Sequence, residues 1–143
     1  VIENMRQFSH HLNIKAQGRM LVDITPQIID WIAQTTISTG LLTVYIAHTS
    51  ASLLINENYD ADVLIDMQRF FDRLVPDGDS LFSHTVEGPD DMPAHVRTAL
   101  TQTSLSIPII NKKLALGQWQ GIFMYEHRHL STNRTVILHA IGD

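Results

Sequence analysis

Three runs rich in apolar and β-branched residues, 104–110, 121–126 and 134–141, fill the C-terminal part of the chain, and nothing with the length or pattern of a helix lies between them. A parallel pair needs a crossover of a dozen or more residues, usually a helix, so these strands must pair antiparallel. Asn111-Lys112-Lys113 is the expected hairpin turn after the first run, since Asn tolerates turn conformations. This constraint rules out a doubly wound parallel sheet and places the chain in the α+β class.

The N-terminal half supplies the remaining elements. Residues 5–14 read as a strand with Phe8, Leu12 and Ile14 as its apolar members, Gly18 as a turn, and Leu21, Val22 and Ile24 as a short extended piece. Thr25 is placed to cap a helix, with Pro26 at its first position, Ile28, Trp31, Ile32 and Thr35 on its apolar face, and Gly40 as its stop. Residues 41–47 read as a central strand and 52–56 as a shorter one. A second helix opens at Asp60 or Asp62, buries Val63, Met67, Phe70, Phe71 and Leu74, and ends at Pro76. A polar loop, 77–92, leads to a short helix over 93–100, and a loop of that length in a compact domain is expected to be functional. The 143 residues suit one domain, 1–143, large enough for a real core. The expected architecture is a mainly antiparallel sheet with the helices packed on one face.

Composition narrows the function. There is no cysteine, which excludes disulfides and thiolate sites and is compatible with a cytoplasmic location. With 10 basic and 15 acidic residues the chain carries a formal charge of -5, which speaks against a nucleic-acid surface. No apolar stretch approaches the ~20 residues of a membrane helix, and residues 1–6 lack the basic start and apolar run of a signal peptide. Between His48 and His95, by contrast, there are ten Asp or Glu and two Arg. That acidity can be solvation or can hold a cation, and the eight histidines keep neutral ligands available near pH 7.

The residues that could carry chemistry fall into groups. His48-Thr49-Ser50 follows a strand end, where backbone N–H groups and hydroxyls can hold a phosphate or carboxylate. Asn56, Glu57, Asp60 and Asp62 lie between a strand and a helix. One aspartate is explained by helix capping, and Glu57 is left as a candidate proton carrier or ligand. His84, Asp90, Asp91 and His95 form a third group, in which one aspartate caps the helix and another can orient His95 through its ring N–H. His48, His84 and His95 would together give a metal three neutral ligands and an open position, for zinc, iron, manganese or magnesium. Trp119 and Gln120 lie between two glycines and can form a pocket wall, and Arg128 can bind an anion bidentately. By spacing alone, chance clustering of His in an Asp-rich loop is an equal explanation of the third group.

Several strings in order resemble the YjbQ-like family: His48-Thr49-Ser50-Ala51-Ser52, then Asn56-Glu57-Asn58, then Glu87-Gly88-Pro89-Asp90-Asp91-Met92-Pro93-Ala94-His95, then Leu114 to Gly121. Gln118 stands where the family usually has Thr, and Lys112 stands where its hairpin has Gly. The resemblance spans nearly the whole chain and implies an α+β domain with a mixed β-sandwich-like core, assembled as a homotrimer. It also implies His48, His84 and His95 as a metal cluster or anion site, and an activity like that of a secondary thiamine-phosphate synthase. Such a reaction joins a pyrimidine diphosphate to a thiazole phosphate and releases pyrophosphate. The expected roles are then catalytic for His48, Glu57, His84 and His95, and substrate or anion binding for Thr49, Ser50, Asn56, Trp119, Gln120 and Arg128. Asp60, Asp62, Asp90 and Asp91 would support a divalent cation. The alternatives are a metal-dependent hydrolase of a small substrate, with Glu57 as general base, and a non-catalytic binding trimer.

Overall fold

The computed structural model describes residues 4–143; Val1–Glu3, part of the opening stretch read above, lie outside the described residues. In chain order the elements are β1 (Arg6–Gln17), β2 (Met20–Asp23), α1 (Thr25–Thr35), β3 (Gly40–Ile46), β4 (Ala51–Glu57), α2 (Ala61–Leu74), α3 (Asp91–Leu100), β5 (Ser104–Ile110), β6 (Lys113–Leu114), β7 (Gln120–Glu126) and β8 (Ser131–Gly142). They build a five-stranded sheet, ordered β1-β8-β3-β5-β6, and a three-stranded sheet, ordered β2-β7-β4. Every strand pair is antiparallel, as the lack of C-terminal crossovers requires.

The main core lies between the sheets, where Leu42, Val44 and Ile46 of β3, Ile107 of β5 and Leu138 of β8 pack with Met124 of β7. A second core forms on the other side of the small sheet, where Leu21, Phe123 and Tyr125 meet Phe71 of α2. β7 therefore has both faces covered and is buried from Gly121 to Glu126, which explains its nearly continuous apolar run. The stripe of α2 is Leu64, Met67 and Phe71. Phe70 and Leu74, expected inside, are exposed.

Several local signals resolve differently from the sequence expectation. Thr25 is not the N-cap of α1; Ile24 is. The Asp23 side chain accepts the Thr25 N–H at 2.9 Å, while the Thr25 hydroxyl accepts the Ile122 N–H at 2.7 Å and ties α1 to β7. Nor does Gly40 end the helix. Thr36 takes the left-handed C-cap at φ 58, and Gly40 starts β3 where a Cβ would strike the Ile141 carbonyl and Gly142. α3 begins at Asp91, two residues earlier than expected, with Pro93 in its first turn, where its missing N–H breaks no helical bond. The hairpin turn is Asn111-Lys112, both left-handed at φ 52 and φ 67. Lys112 adopts it without glycine, and its N–H donates to the Ser38 carbonyl at 3.0 Å.

Gly40→Ala is expected to cost at least about 2 kcal/mol, since the neighbour it would hit is backbone and cannot rotate away. Urea unfolding of the variant against wild type measures this, and an unchanged midpoint would contradict the close approach.

Candidate metal centre

The start of α3 and the loop before it bring three side chains together: the ligand atoms of His84, Asp91 and His95 all lie within 4.8 Å of one another. Asp91 and His95 are four apart on one helix and so share a face. Asp91 Oδ2 is 2.7 Å from His84 Nε2 and 3.1 Å from His95 Nε2. The other oxygen, Oδ1, accepts from Arg128 Nη1 at 2.6 Å.

The hydrogen-bond chemistry of His95 sets what this cluster needs. Its Nδ1 is 2.8 Å from the Thr49 carbonyl, which can only accept, so Nδ1 carries the proton. In the neutral ring Nε2 is then a bare lone pair facing a carboxylate oxygen. Two acceptors at that separation repel unless a proton or a metal cation lies between them. The Thr49 carbonyl thus does what metal-bound histidines require of their surroundings: it fixes the tautomer with the ligating nitrogen pointing inward. Two imidazoles and one carboxylate suit zinc, iron or manganese.

Arg128, read from sequence as an anion binder, is committed elsewhere. Its Nε donates to Asp90 Oδ2 at 3.1 Å, Nη1 to Asp91, and Nη2 to the Glu87 carbonyl at 2.9 Å. Asp90 also accepts the His129 N–H at 2.9 Å. Burial raises the pKa of Asp90 and Asp91, but hydrogen bonds outweigh it and hold both below the usual carboxylate range. For Asp90 these come from the His129 N–H and Arg128; for Asp91, from His84, joined by the charge of Arg128 and by His95.

His48 does not join the cluster. Its Nε2 accepts the Thr135 N–H at 2.9 Å, continuing the β3–β8 pairing beyond the strand end, and burial together with the Arg134 charge lowers its pKa. Asp91, which spacing had cast only as support, meets His84 and His95 where the sequence reading placed His48. The Ser50 hydroxyl, read from sequence as an anion contact, accepts from Arg134 Nη2 at 2.9 Å. Arg134 in turn grips the fully buried Glu126, with Nε to Oε1 at 2.6 Å and Nη2 to Oε2 at 2.7 Å. Thr132 also donates to Glu126.

The other predicted residues gather at the opposite end of the small sheet. His95 meets Thr49, just before β4, whereas Glu57 ends β4, six strand steps from Ala51 and so about 20 Å away. There Glu57 accepts the Asp60 N–H at 3.3 Å, Asp60 caps α2 by accepting the Asp62 N–H at 2.9 Å, and Asn56 accepts the Glu57 N–H at 2.8 Å. Gln120 accepts the Gly117 N–H at 2.7 Å, and Trp119 packs on Tyr59 with ring centroids 4.7 Å apart. Within one subunit this group is local turn chemistry.

Sequence reading gave His127 no role. It is fully buried just past the end of β7, its Nε2 lies 2.8 Å from the Ser52 hydroxyl, and its ring is 4.4 Å from that of Tyr125. Its Nδ1, the Tyr125 hydroxyl and two nitrogens of Arg97 have no partner among the described residues. The signal was the polar Glu-His pair ending an otherwise apolar strand.

A sandwich of two antiparallel sheets with a His-Asp-His cluster at the base of a long loop defines the structural class. Solved structures share the fold. A YbjQ-like protein of unknown function from Sulfolobus solfataricus superposes with a TM-score of 0.90 over 98% of this chain and all of its own, at 22% identity. An uncharacterised yjbq/upf0047-family protein from Clostridium acetobutylicum is 32% identical, with a TM-score of 0.80 over 92% of this chain and 97% of its own. In sequence, a UPF0047 protein of Synechocystis is 48% identical over 96% of this chain and 94% of its own length. YjbQ of Escherichia coli O157:H7 is 39% identical over 92% and 96%. The family model described as UPF0047 protein YjbQ-like matches residues 10–143, and the chain belongs to that family.

Burial, with the charges of Arg97, Arg19 and Arg134, lowers the His127 pKa from 6.5 to about 3. Between those values the unfolded chain holds a proton that the folded chain refuses, so stability falls as pH drops through that window. Going from pH 7 to pH 5 should cost roughly 2 kcal/mol through this group alone. Urea unfolding at both pH values should show that part of the slope missing in His127→Gln; an identical slope would contradict the neutral, buried ring.

Proposed function

We propose that this chain is a divalent-metal-dependent enzyme acting on a small phosphorylated substrate, with transfer of the thiamine-phosphate synthase type as its reaction. The observation that carries the metal is the contact between the His95 Nε2 lone pair and the Asp91 carboxylate, which a cation turns from repulsion into ligation. His84, Asp91 and His95 would hold the ion. When bound, it would neutralise charge on a leaving diphosphate. The Thr49 carbonyl keeps the His95 ring turned inward. Arg128 holds Asp91 by its far oxygen, so that one carboxylate oxygen faces the two imidazoles. With Arg128 spent on Asp90 and Asp91, neutralising the substrate's phosphates falls to the metal. The transfer reaction itself rests on the family resemblance. A metal-dependent hydrolase is the second reading, but within one subunit it loses its assigned base, because Glu57 lies at the far end of β4.

Assembly as a homotrimer is part of the same proposal. Leu41, Tyr45, Ile110 and Ile141 are 38–54% exposed on the outer face of the five-stranded sheet, opposite the residues that enter the core. An apolar sheet face of this kind supports self-association. A cytoplasmic location is also proposed, supported by the absence of cysteine; no helix among the described residues is long and apolar enough to cross a membrane.

Calorimetric titration of chelator-treated protein with zinc, manganese and magnesium should show one ion per chain, bound at least about 100-fold more weakly by His95→Ala and Asp91→Asn. Pyrophosphate release from the two thiamine precursors should then require the ion and vanish in His84→Ala. Unaltered ion affinity in both ligand variants would remove the metal reading, and ion binding without pyrophosphate release would remove the transferase. Sedimentation equilibrium should give three times the chain mass; a monomer at micromolar concentration would remove the trimer.

A further inference from the structure

Where α1 passes the β5–β6 hairpin, a groove of about 420 Å³ opens, a volume within the range of small-molecule sites. It shares no residue with the His84–Asp91–His95 cluster. Its floor is Ile32, 2% exposed and part of the main core, and its walls are Ile29 of α1 with Leu114 and Leu116 beyond the hairpin turn. Ile29 and Ile32 are three apart on the helix and so share a face. Ile29 is nonetheless 50% exposed, because the groove beside it is open.

Lys112 and Lys113 line the same groove, and no Asp or Glu does. Neither ammonium group has an ion-pair partner among the described residues. The chain carries a charge of -5 and has three lysines, two of them here. An acidic protein thus places two uncompensated positive charges at the edge of an apolar surface. Lysine methylenes can extend such a wall while the charged ends reach its rim. The backbone beneath them is held in place. Lys112 is left-handed at φ 67, its N–H donates to the Ser38 carbonyl at 3.0 Å, and the Ala115 N–H donates to the Pro108 carbonyl at 2.9 Å. Preorganisation of this sort lowers the ordering cost of binding.

Two properties of the lining define the occupant. The walls are aliphatic, with no aromatic ring, hydroxyl or carboxylate among them, so a polar body would lose its hydrogen bonds to water and find none in return. The two lysines call for an anionic end. The volume suits one small molecule, whereas a folded partner would need roughly 800 Å² on each side. We propose that this groove binds a free medium-chain aliphatic carboxylate. Its chain lies along Ile29, Ile32, Leu114 and Leu116, and its carboxylate pairs with Lys112 and Lys113. The site is independent of the metal reading given above.

Calorimetric titration of the full chain with octanoate, decanoate and octan-1-ol, each below micelle formation, separates the two contributions. Affinity should rise about fourfold per added methylene, and octanoate should bind about fivefold tighter than octan-1-ol, as two ion pairs at a partly exposed rim imply. Lys112→Gln combined with Lys113→Gln should erase the preference for the acid and leave octan-1-ol binding unchanged. Ile29→Ser, at a half-exposed position, should weaken both ligands alike. Methyl NMR should show shifts at Ile29, Leu114 and Leu116. Chelator-treated protein should give the same affinities; loss of binding on chelation would assign the carboxylate to the metal cluster and overturn the groove. Equal affinity for acid and alcohol in wild type, a preference that survives loss of both lysines, affinity that ignores chain length, or shifts centred on Leu41 and Tyr45 would overturn it as well.

Discussion

The guanidinium of Arg128 is the joint on which the site depends. It lies just past the end of β7 and reaches Asp90 and Asp91, the residues that open α3. Without it, two carboxylates would sit side by side in a largely buried place at the start of a helix, with only the helix dipole and nearby N–H groups to oppose their repulsion. With it, Asp91 is fixed by one oxygen and presents the other to His84 and His95. The same contact docks α3 on the small sheet. The loop from Asp77 to Asp90 is then held at both ends, by Arg19 and His129 at one and by Arg128 at the other. Local charge pairing therefore does tertiary work: it brings residues from three separate segments, Thr49, His84 and Asp91 with His95, into one cluster.

β7 plays the matching part for the hydrophobic structure. One of its faces closes the core between the sheets and the other carries α2 and α3, so no residue from Gly121 to Glu126 reaches solvent. Where the strand turns polar, at Glu126 and His127, each side chain must find a partner inside the protein. Glu126 finds Arg134, Thr132 and the Arg128 N–H, and its pKa falls below the usual value although burial opposes this. His127 finds Ser52 and stays neutral instead. The two residues show both ways in which a titratable group is accommodated on burial: the acid keeps its charge because an arginine faces it, and the imidazole gives its charge up because burial removes its water and nearby arginines oppose a second positive charge.

The His84–Asp91–His95 cluster at the base of the long loop gives the fold a simple layout. The sandwich provides the base, α3 presents Asp91 and His95 on one face, and the loop contributes His84. Variation in the middle of that loop would leave the helix residues in place, since its anchoring residues lie at its ends.

Much of the fold was legible in the sequence because the relevant signals are local. The antiparallel C-terminal strands follow from the absence of crossovers, α1 and α2 from apolar periodicity, and the turn at Asn111 from its residue type. The His-rich, Asp-rich character of residues 84–95 also marked the segment that supplies the cluster. That Asp91 and not His48 meets the two imidazoles was not legible. His48 and Asp91 were both available by spacing, and the choice between them depends on the Thr135 N–H that engages one ring and on the Arg128 guanidinium that orients the other carboxylate. Both contacts join residues at least 37 positions apart. In the same way, Glu57 and Trp119 look like site residues in a linear reading, yet they lie a full strand length from the histidines, because β4 is extended and carries its two ends apart. The sequence by itself determined which elements form and which segments hold chemistry, since backbone propensity and side-chain periodicity act over a few residues. Only the tertiary structure decided which polar groups meet, since a hydrogen bond has a reach of about 3 Å and its partner is set by how the sheets and helices pack.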